Sequence, residues 1–151
     1  MELRTIDQGN YEAVLAISVR PDQNDLVAPV VKSLAEAYVY ADYAWPRAIY
    51  DGDEPVGFVM AFIRIPWRDP SDDDRRSGLW RLNIAAGRQG RGYGAFAVEA
   101  VCDELRSRGE TSAFVTYESR DGGPAPFYLR LGFHPTGELA DGETVAVRDL
   151  S

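Results

Sequence analysis

Three observations predict a mixed α/β fold for this chain. Strand-like and helix-like hydrophobic periods alternate along its length. A glycine-dense turn stands between a strand and a long helix. The 151 residues suffice for one substantial core and are too few to divide comfortably in two. Residues 1–151 are accordingly read as a single domain.

The elements follow in order. Residues 3–6 read as a short first strand, and Asn10 as the N-cap of a helix carrying Val14, Leu15 and Ile17 toward Pro21. A loop over 24–29 leads to a second helix over 30–38, with Val31, Leu34, Ala35 and Tyr38 at spacings of three and four. Strands over 47–50 and 56–65 flank the turn Asp51-Gly52-Asp53. Residues 66–78, with Asp69, Asp72, Asp73 and Asp74, read as a solvated loop. A strand over 79–85 passes through the turn 87–92 into a helix over 93–108. The inner face of that helix is Val98, Val101, Cys102 and Leu105, which makes Cys102 core filler rather than a nucleophile. Gly109 ends the helix as a C-cap. A strand over 112–117 and a loop over 119–123 precede a short helix opened by Pro124 and closed at Gly132. Phe133 onward and residues 143–147 form a hairpin around Asp141-Gly142.

A formal charge of -8 opposes nucleic-acid binding, which needs a basic face, and favours cationic partners. Within that acidic background Arg81, Arg88 and Arg91 fall in one short stretch, where an anionic ligand finds local attraction. Cys102 and His134 are the sole residues of their types, so neither an internal disulfide nor a cysteine or histidine metal cluster is expected. The N-terminus lacks the layout of a signal peptide and no apolar run is long enough to cross a bilayer; a soluble, cytoplasmic protein is the expectation.

The most informative stretch runs from Leu82 to Ala95. A strand entering a helix through glycines leaves the first helical N–H groups converging on a spot that favours anions, and four glycines in eight residues let a phosphate approach the backbone. A nucleotide-hydrolysing loop would need Gly-Lys-Ser/Thr, whereas Gly92 is followed by Tyr93. Gly90-x-Gly92-x-x-Ala95, with Glu118 at the end of the next strand, fits the dinucleotide fingerprint. Too little chain follows it for a dinucleotide sheet.

Gln89-Gly90-Arg91-Gly92-Tyr93-Gly94 resembles the pyrophosphate loop of the GNAT superfamily of N-acetyltransferases, Gln/Arg-x-x-Gly-x-Gly/Ala. Phe127-Tyr128-Leu129-Arg130-Leu131-Gly132-Phe133 is similar to its second element, a short helix ending in aromatic-Tyr-x-x-x-Gly-Phe. The tail 136–143 resembles the spermidine and diamine acetyltransferase-like branch. This resemblance implies a mostly antiparallel sheet of six to seven strands flanked by about four helices. It further implies acetyl-CoA as donor, a polyamine or similar small amine as acceptor, and frequent homodimers.

It also implies roles for particular residues. The coenzyme would be held by Leu82, Asn83 and Ile84 along its pantetheine arm and by Arg88, Gln89, Gly90, Arg91, Gly92, Tyr93, Gly94 and Ala95 at its diphosphate. Tyr128 matches the general-acid tyrosine that protonates the departing thiolate. A primary amine has a pKa of ~10.4, so freeing its lone pair at pH 7 costs on the order of 4 to 5 kcal/mol and calls for a base. The family's glutamate base falls on Gly78, which shifts the role to Glu118 acting through water. Glu36, Tyr38, Trp45, Trp67 and Trp80 are the expected acceptor-binding residues, because a cation is held by carboxylates and aromatic faces. An amine-bearing antibiotic or a protein amine is the alternative acceptor. With Gly78 in the base position, a non-catalytic acetyl-CoA-binding module is the alternative to an enzyme.

Overall fold

Alternating apolar residues decide the sheet, and the sheet decides where everything else packs. The computed structural model describes residues 1–23, 27–71 and 73–151. The chain order is β1 (Glu2–Arg4), α1 (Tyr11–Leu15), α2 (Val30–Val39), β2 (Ala44–Asp51), β3 (Glu54–Pro66), β4 (Arg75–Ile84), α3 (Tyr93–Ser107), β5 (Ser112–Tyr117), α4 (Ala125–Arg130), β6 (His134–Ala140) and β7 (Glu143–Asp149). One seven-stranded sheet has the order β1-β2-β3-β4-β5-β7-β6. Its pairs are antiparallel except β4 with β5. That pattern overturns the dinucleotide alternative, whose fold needs a run of parallel strands.

Because successive side chains of a strand point to opposite faces, the sheet carries two apolar layers. On one face, Val59, Ala61, Leu79, Ala113 and Val115 pack against Val98, Val101, Cys102 and Leu105 of α3 and Tyr128 of α4. On the other, Ala48, Tyr50, Phe58 and Met60 pack against Val14, Ile17 and Val30 from the α1–α2 region. Phe58 and Phe133 are among the largest fully buried side chains. Truncating either to alanine costs about 3 to 5 kcal/mol.

Several expectations need correction. Asn10 is the N-cap residue of α1, its carbonyl accepting from the Val14 N–H at 3.1 Å, but its side chain makes no capping bond: the amide oxygen accepts from the Asp7 N–H at 2.9 Å and the amide nitrogen donates to the Thr5 carbonyl at 2.9 Å. Leu15 is exposed while Val14 and Ile17 are buried. In α2 the buried face is Val30 and Ser33 with Leu34 and Ala37, so Val31, Ala35 and Tyr38 point outward. The first strand ends at Arg4. β4 starts at Arg75, inside the stretch read as loop, because Arg76 stacks over Trp67 and Phe114 at 4.8 and 4.5 Å and salt-bridges Asp74 and Glu138 at 3.0 and 3.1 Å. Of the expected loop over 24–29, residues 24–26 lie outside the described residues, as does Asp72.

Two irregularities shape the centre of the sheet. Phe62 pairs Gly78 and Ile65 pairs Arg76, so β3 bulges around Arg64, which adopts φ 50° and donates its N–H to the buried Ser77 hydroxyl at 2.8 Å. Ala61 pairs Leu79 and Met60 pairs Arg81, so Trp80 is an extra residue in β4. Directly paired residues share a face. Arg81 therefore joins Met60 on the α1–α2 face, and Trp80, which packs into the same layer, stands beside it.

Candidate functional site

The parallel pairing of β4 with β5 covers only Gly78 with Phe114 and Leu79 with Val115. Beyond Leu79 and Val115 the strands part, leaving main-chain groups of Trp80–Ile84 on one side and of Thr116 and Tyr117 on the other without a sheet partner between them. A cleft of about 1130 Å³ occupies this gap. Backbone polar groups at such an edge accept an extended ligand as an added strand. Gly78 fixes where the gap begins. A Cβ there would lie 1.9 Å from the Phe114 carbonyl oxygen, so no side chain, a catalytic glutamate included, fits this position.

The glycine loop closes one end of the gap. Gly87, Gly90 and Gly92 all have positive φ, between 77° and 84°, and Gly92 is the N-cap residue of α3. The loop hangs on the Ala86 N–H, which donates to the Ser18 carbonyl at 2.8 Å, and on the Gln89 amide, which donates to the Ile84 carbonyl at 3.3 Å. The first amides of α3 have no intrahelical acceptor and point out of its N-terminus beside this loop. Open space surrounds the positions where Cβ atoms of Gly90 and Gly92 would stand. A diphosphate fits this cradle of amides and bare backbone. Of the three arginines expected to attract it, Arg81 pairs with Glu36 and Arg88 with Glu54, and Arg91 is exposed. An anion in this cradle would therefore meet chiefly backbone amides.

Tyr128 lies against the opposite wall. Its ring stacks on Tyr117 at 5.6 Å and meets Phe127 and Phe133 edge-on at 5.1 and 5.7 Å. Burial, reinforced by Tyr117, raises its phenol above the ordinary tyrosine pKa. The group stays a neutral O–H donor across the range in which enzymes work.

Leu82, Ile84, Arg88, Gln89, Gly90, Gly92, Tyr93 and Gly94 all line the cleft. Asn83 faces away from the gap, onto the α1–α2 layer. It is buried, its amide donates to the Ala28 carbonyl at 2.9 Å, and its Oδ1 has no partner among the described residues. Arg91 and Ala95 are not in the cleft wall. Trp67, Trp80 and Glu36 do line it. Tyr38 is 87% exposed, outside the cleft. Trp45 pairs with Ala61, packs on the α3 side of the sheet, and carries the Arg47 guanidinium 4.1 Å above its ring, so it too is absent from the wall. Glu118 stands at the rim, exposed, with Arg120 at 3.8 Å.

Tyr40, Tyr43 and Thr116, which no motif marks, also line the cleft, as do Asp141 and Glu143 of the 136–143 tail, which were expected to form a hairpin rather than to serve the site. Tyr40 and Trp80 are in ring contact at 6.2 Å. Thr116 donates its hydroxyl to Glu143 Oε1 at 3.3 Å across the β5–β7 ladder. The available signal was parity: Glu143, Val145 and Val147 occupy one face of a strand.

Residues 7–133 match the model of the acetyltransferase (GNAT) family. Comparison with curated proteins gives no match. Among solved structures, an aminoglycoside 6′-N-acetyltransferase complexed with coenzyme A is 16% identical over 100% of this chain and 98% of its own, with a TM-score of 0.72. The PaiA N-acetyltransferase of Thermoplasma acidophilum, in complex with coenzyme A, is 10% identical over 98% of each chain, with a TM-score of 0.73. The ribosomal-protein-S18-alanine N-acetyltransferase of Escherichia coli is 14% identical over 99% of this chain and 94% of its own, with a TM-score of 0.70. At these identities the likeness is one of fold.

Proposed function

Since the chain belongs to the GNAT family of acetyltransferases and works with acetyl-CoA, we propose that it acetylates the primary amine of a small cationic acceptor, such as a polyamine or diamine. The observation that carries this reading is the composition of the cleft on the α1–α2 face. Glu36, Asp141 and Glu143 and the rings of Tyr40, Trp67 and Trp80 line it, while Arg81 is tied to Glu36 at 2.9 Å. Carboxylates and ring faces attract an ammonium, and the paired arginine does not repel it strongly.

When bound, the coenzyme supplies an activated acetyl thioester. The amides of Gly90, Gly92, Tyr93 and Gly94 would hold its diphosphate, and the free edge of β4 at Leu82 and Ile84 would align its pantetheine arm. An N–H on that edge would donate to the thioester oxygen, where charge develops. The Tyr128 hydroxyl would give its proton to the departing sulfur. Residues 1–151 would act as one domain, consistent with one sheet shared by both apolar layers.

The test is coenzyme A release from acetyl-CoA with a panel of amines. Turnover with diamines and polyamines, well above that with zwitterionic amino acids, supports the proposal. Turnover confined to an aminoglycoside or a peptide amine transfers the activity to that acceptor class, and no release with any amine refutes the reading.

A further inference from the structure

Proton removal from the acceptor calls for a base, for which a carboxylate suits a cationic substrate, and a glutamate is sterically excluded at Gly78 on β4. Among the described residues, four carboxylates line the cleft: Glu36, Glu118, Asp141 and Glu143. Glu36 is held by Arg81 at 2.9 Å. Glu118 is exposed at the rim beside Arg120. Asp141 is exposed at the tip of the β6–β7 hairpin.

Glu143 differs from all three. It is half-buried, it lies in β7 rather than on a turn, and among the described residues no arginine pairs with it. Its Oε1 accepts the Thr116 hydroxyl, and Oε2 has no partner among the described residues. Thr116 is the first residue of β5 beyond Val115, where pairing with β4 stops. It lies opposite Val145, two residues from Glu143, so Thr116 and Glu143 share the α1–α2 face with Trp80 and Arg81. Tyr117 and Tyr128 line the same gap from the α3 face. The apex of the split thus has a phenol on one face and an anchored carboxylate on the other.

Resting on the acetyltransferase reading above, we infer that Glu143 is the base that takes the proton of the acceptor ammonium, with Thr116 positioning it. The proton moves from nitrogen to Glu143 Oε2. The freed lone pair forms the C–N bond to the thioester carbon as the C–S bond breaks, and sulfur receives the Tyr128 proton. The second proton of the nitrogen restores Tyr128 through solvent, and Glu143 discharges its own to water. One amide, one thiol and one released proton result. Besides Tyr128, the other charged or titratable groups that line the cleft are Asp141, Glu118, Arg130, Arg88, Tyr40, Tyr43, Tyr93, Tyr117 and the Glu36–Arg81 pair.

The test compares wild type, E143Q, E143D and T116V with the best amine of the panel, across pH, with coenzyme A affinity and thermal unfolding measured in parallel. E143Q should lower kcat by about 100-fold or more with the Kd for coenzyme A unchanged. Its rate should rise about tenfold per pH unit where the wild type is level, because free amine must then come from solution. E143D should recover part of the loss, and T116V should lower kcat less than E143Q does. An E143Q enzyme within twofold of wild type, or a loss that E143D reproduces in full with the pH profile unchanged, overturns the assignment while leaving the acetyltransferase intact. Absence of turnover in the wild type overturns both.

Discussion

Placing one methyl group at position 78 tests how the two halves of the sheet are joined. In Gly78→Ala the new Cβ would fall 1.9 Å from the Phe114 carbonyl oxygen and 2.7 Å from its nitrogen and carbonyl carbon, against an ordinary contact of 3.4 Å or more. Relief requires the strands to separate by about 1.5 Å, the difference between those limits, at the one place where β4 and β5 pair. Overpacking of this kind costs about 1 to 3 kcal/mol, and each hydrogen bond lost from the short ladder adds about 0.5 to 1.5 kcal/mol. A destabilisation of about 3 kcal/mol lowers Tm by roughly 6 to 12 °C for a chain of this size. Urea unfolding followed by tryptophan fluorescence, with a thermal scan beside it, measures the effect. A change below about 0.5 kcal/mol would show that the strands have slack there, and would reopen position 78 to a working side chain.

Two further predictions concern single side chains. Tyr128→Phe should reduce turnover by about 100-fold or more while calorimetry shows coenzyme A binding retained; an unchanged rate removes the phenol from the reaction. In the wild type its raised pKa should keep kcat level past pH ~10, where an ordinary tyrosine would ionise, and a fall in kcat before that point contradicts the burial argument. Glu138, hydrogen-bonded first by Arg68 and then by Arg76, has its carboxyl lowered from 4.5 to about 2. The ionised form is favoured by folding, so its stabilisation is complete above pH 4.5 and fades as pH falls toward about 2. Thermal scans should show Glu138→Gln converging on wild type through that window, and a gap that persists at the acid end refutes the linkage.

What was legible in the sequence was what local periodicity controls. The helix after the glycine loop, its inner face, the strand Ser112–Tyr117 and the Asp141-Gly142 hairpin all follow from spacing and turn chemistry. The two motifs that resemble the family's loop and tyrosine helix likewise pointed to the proposed coenzyme end, because each is contiguous in the chain. The proposed acceptor end was not legible, since its residues come together only across the sheet. Glu143 and Thr116 meet only through the β5–β7 register, and Arg81 meets Glu36 only because α2 docks on that face. Helix α2 misled because it is apolar on two sides: Val31 and Tyr38 keep the same helical spacing as Val30 and Ala37, and docking chose the latter. Trp45 misled because a tryptophan two residues from an arginine reads equally well as a ligand for a cationic acceptor or as a platform for Arg47.

The extra residue at Trp80 gives β4 two reading frames. Counting from Arg75, odd positions up to Leu79 meet the α3 layer; from Arg81 onward, even positions do. A one-residue insertion or deletion between Trp80 and Ile84 would therefore exchange the face turned to α3 for the face turned to α1–α2, whereas point substitutions leave the frames untouched. If the proposed acceptor lies on the α1–α2 face, its identity can then drift by replacement of side chains, while length changes within this short segment are closed to it.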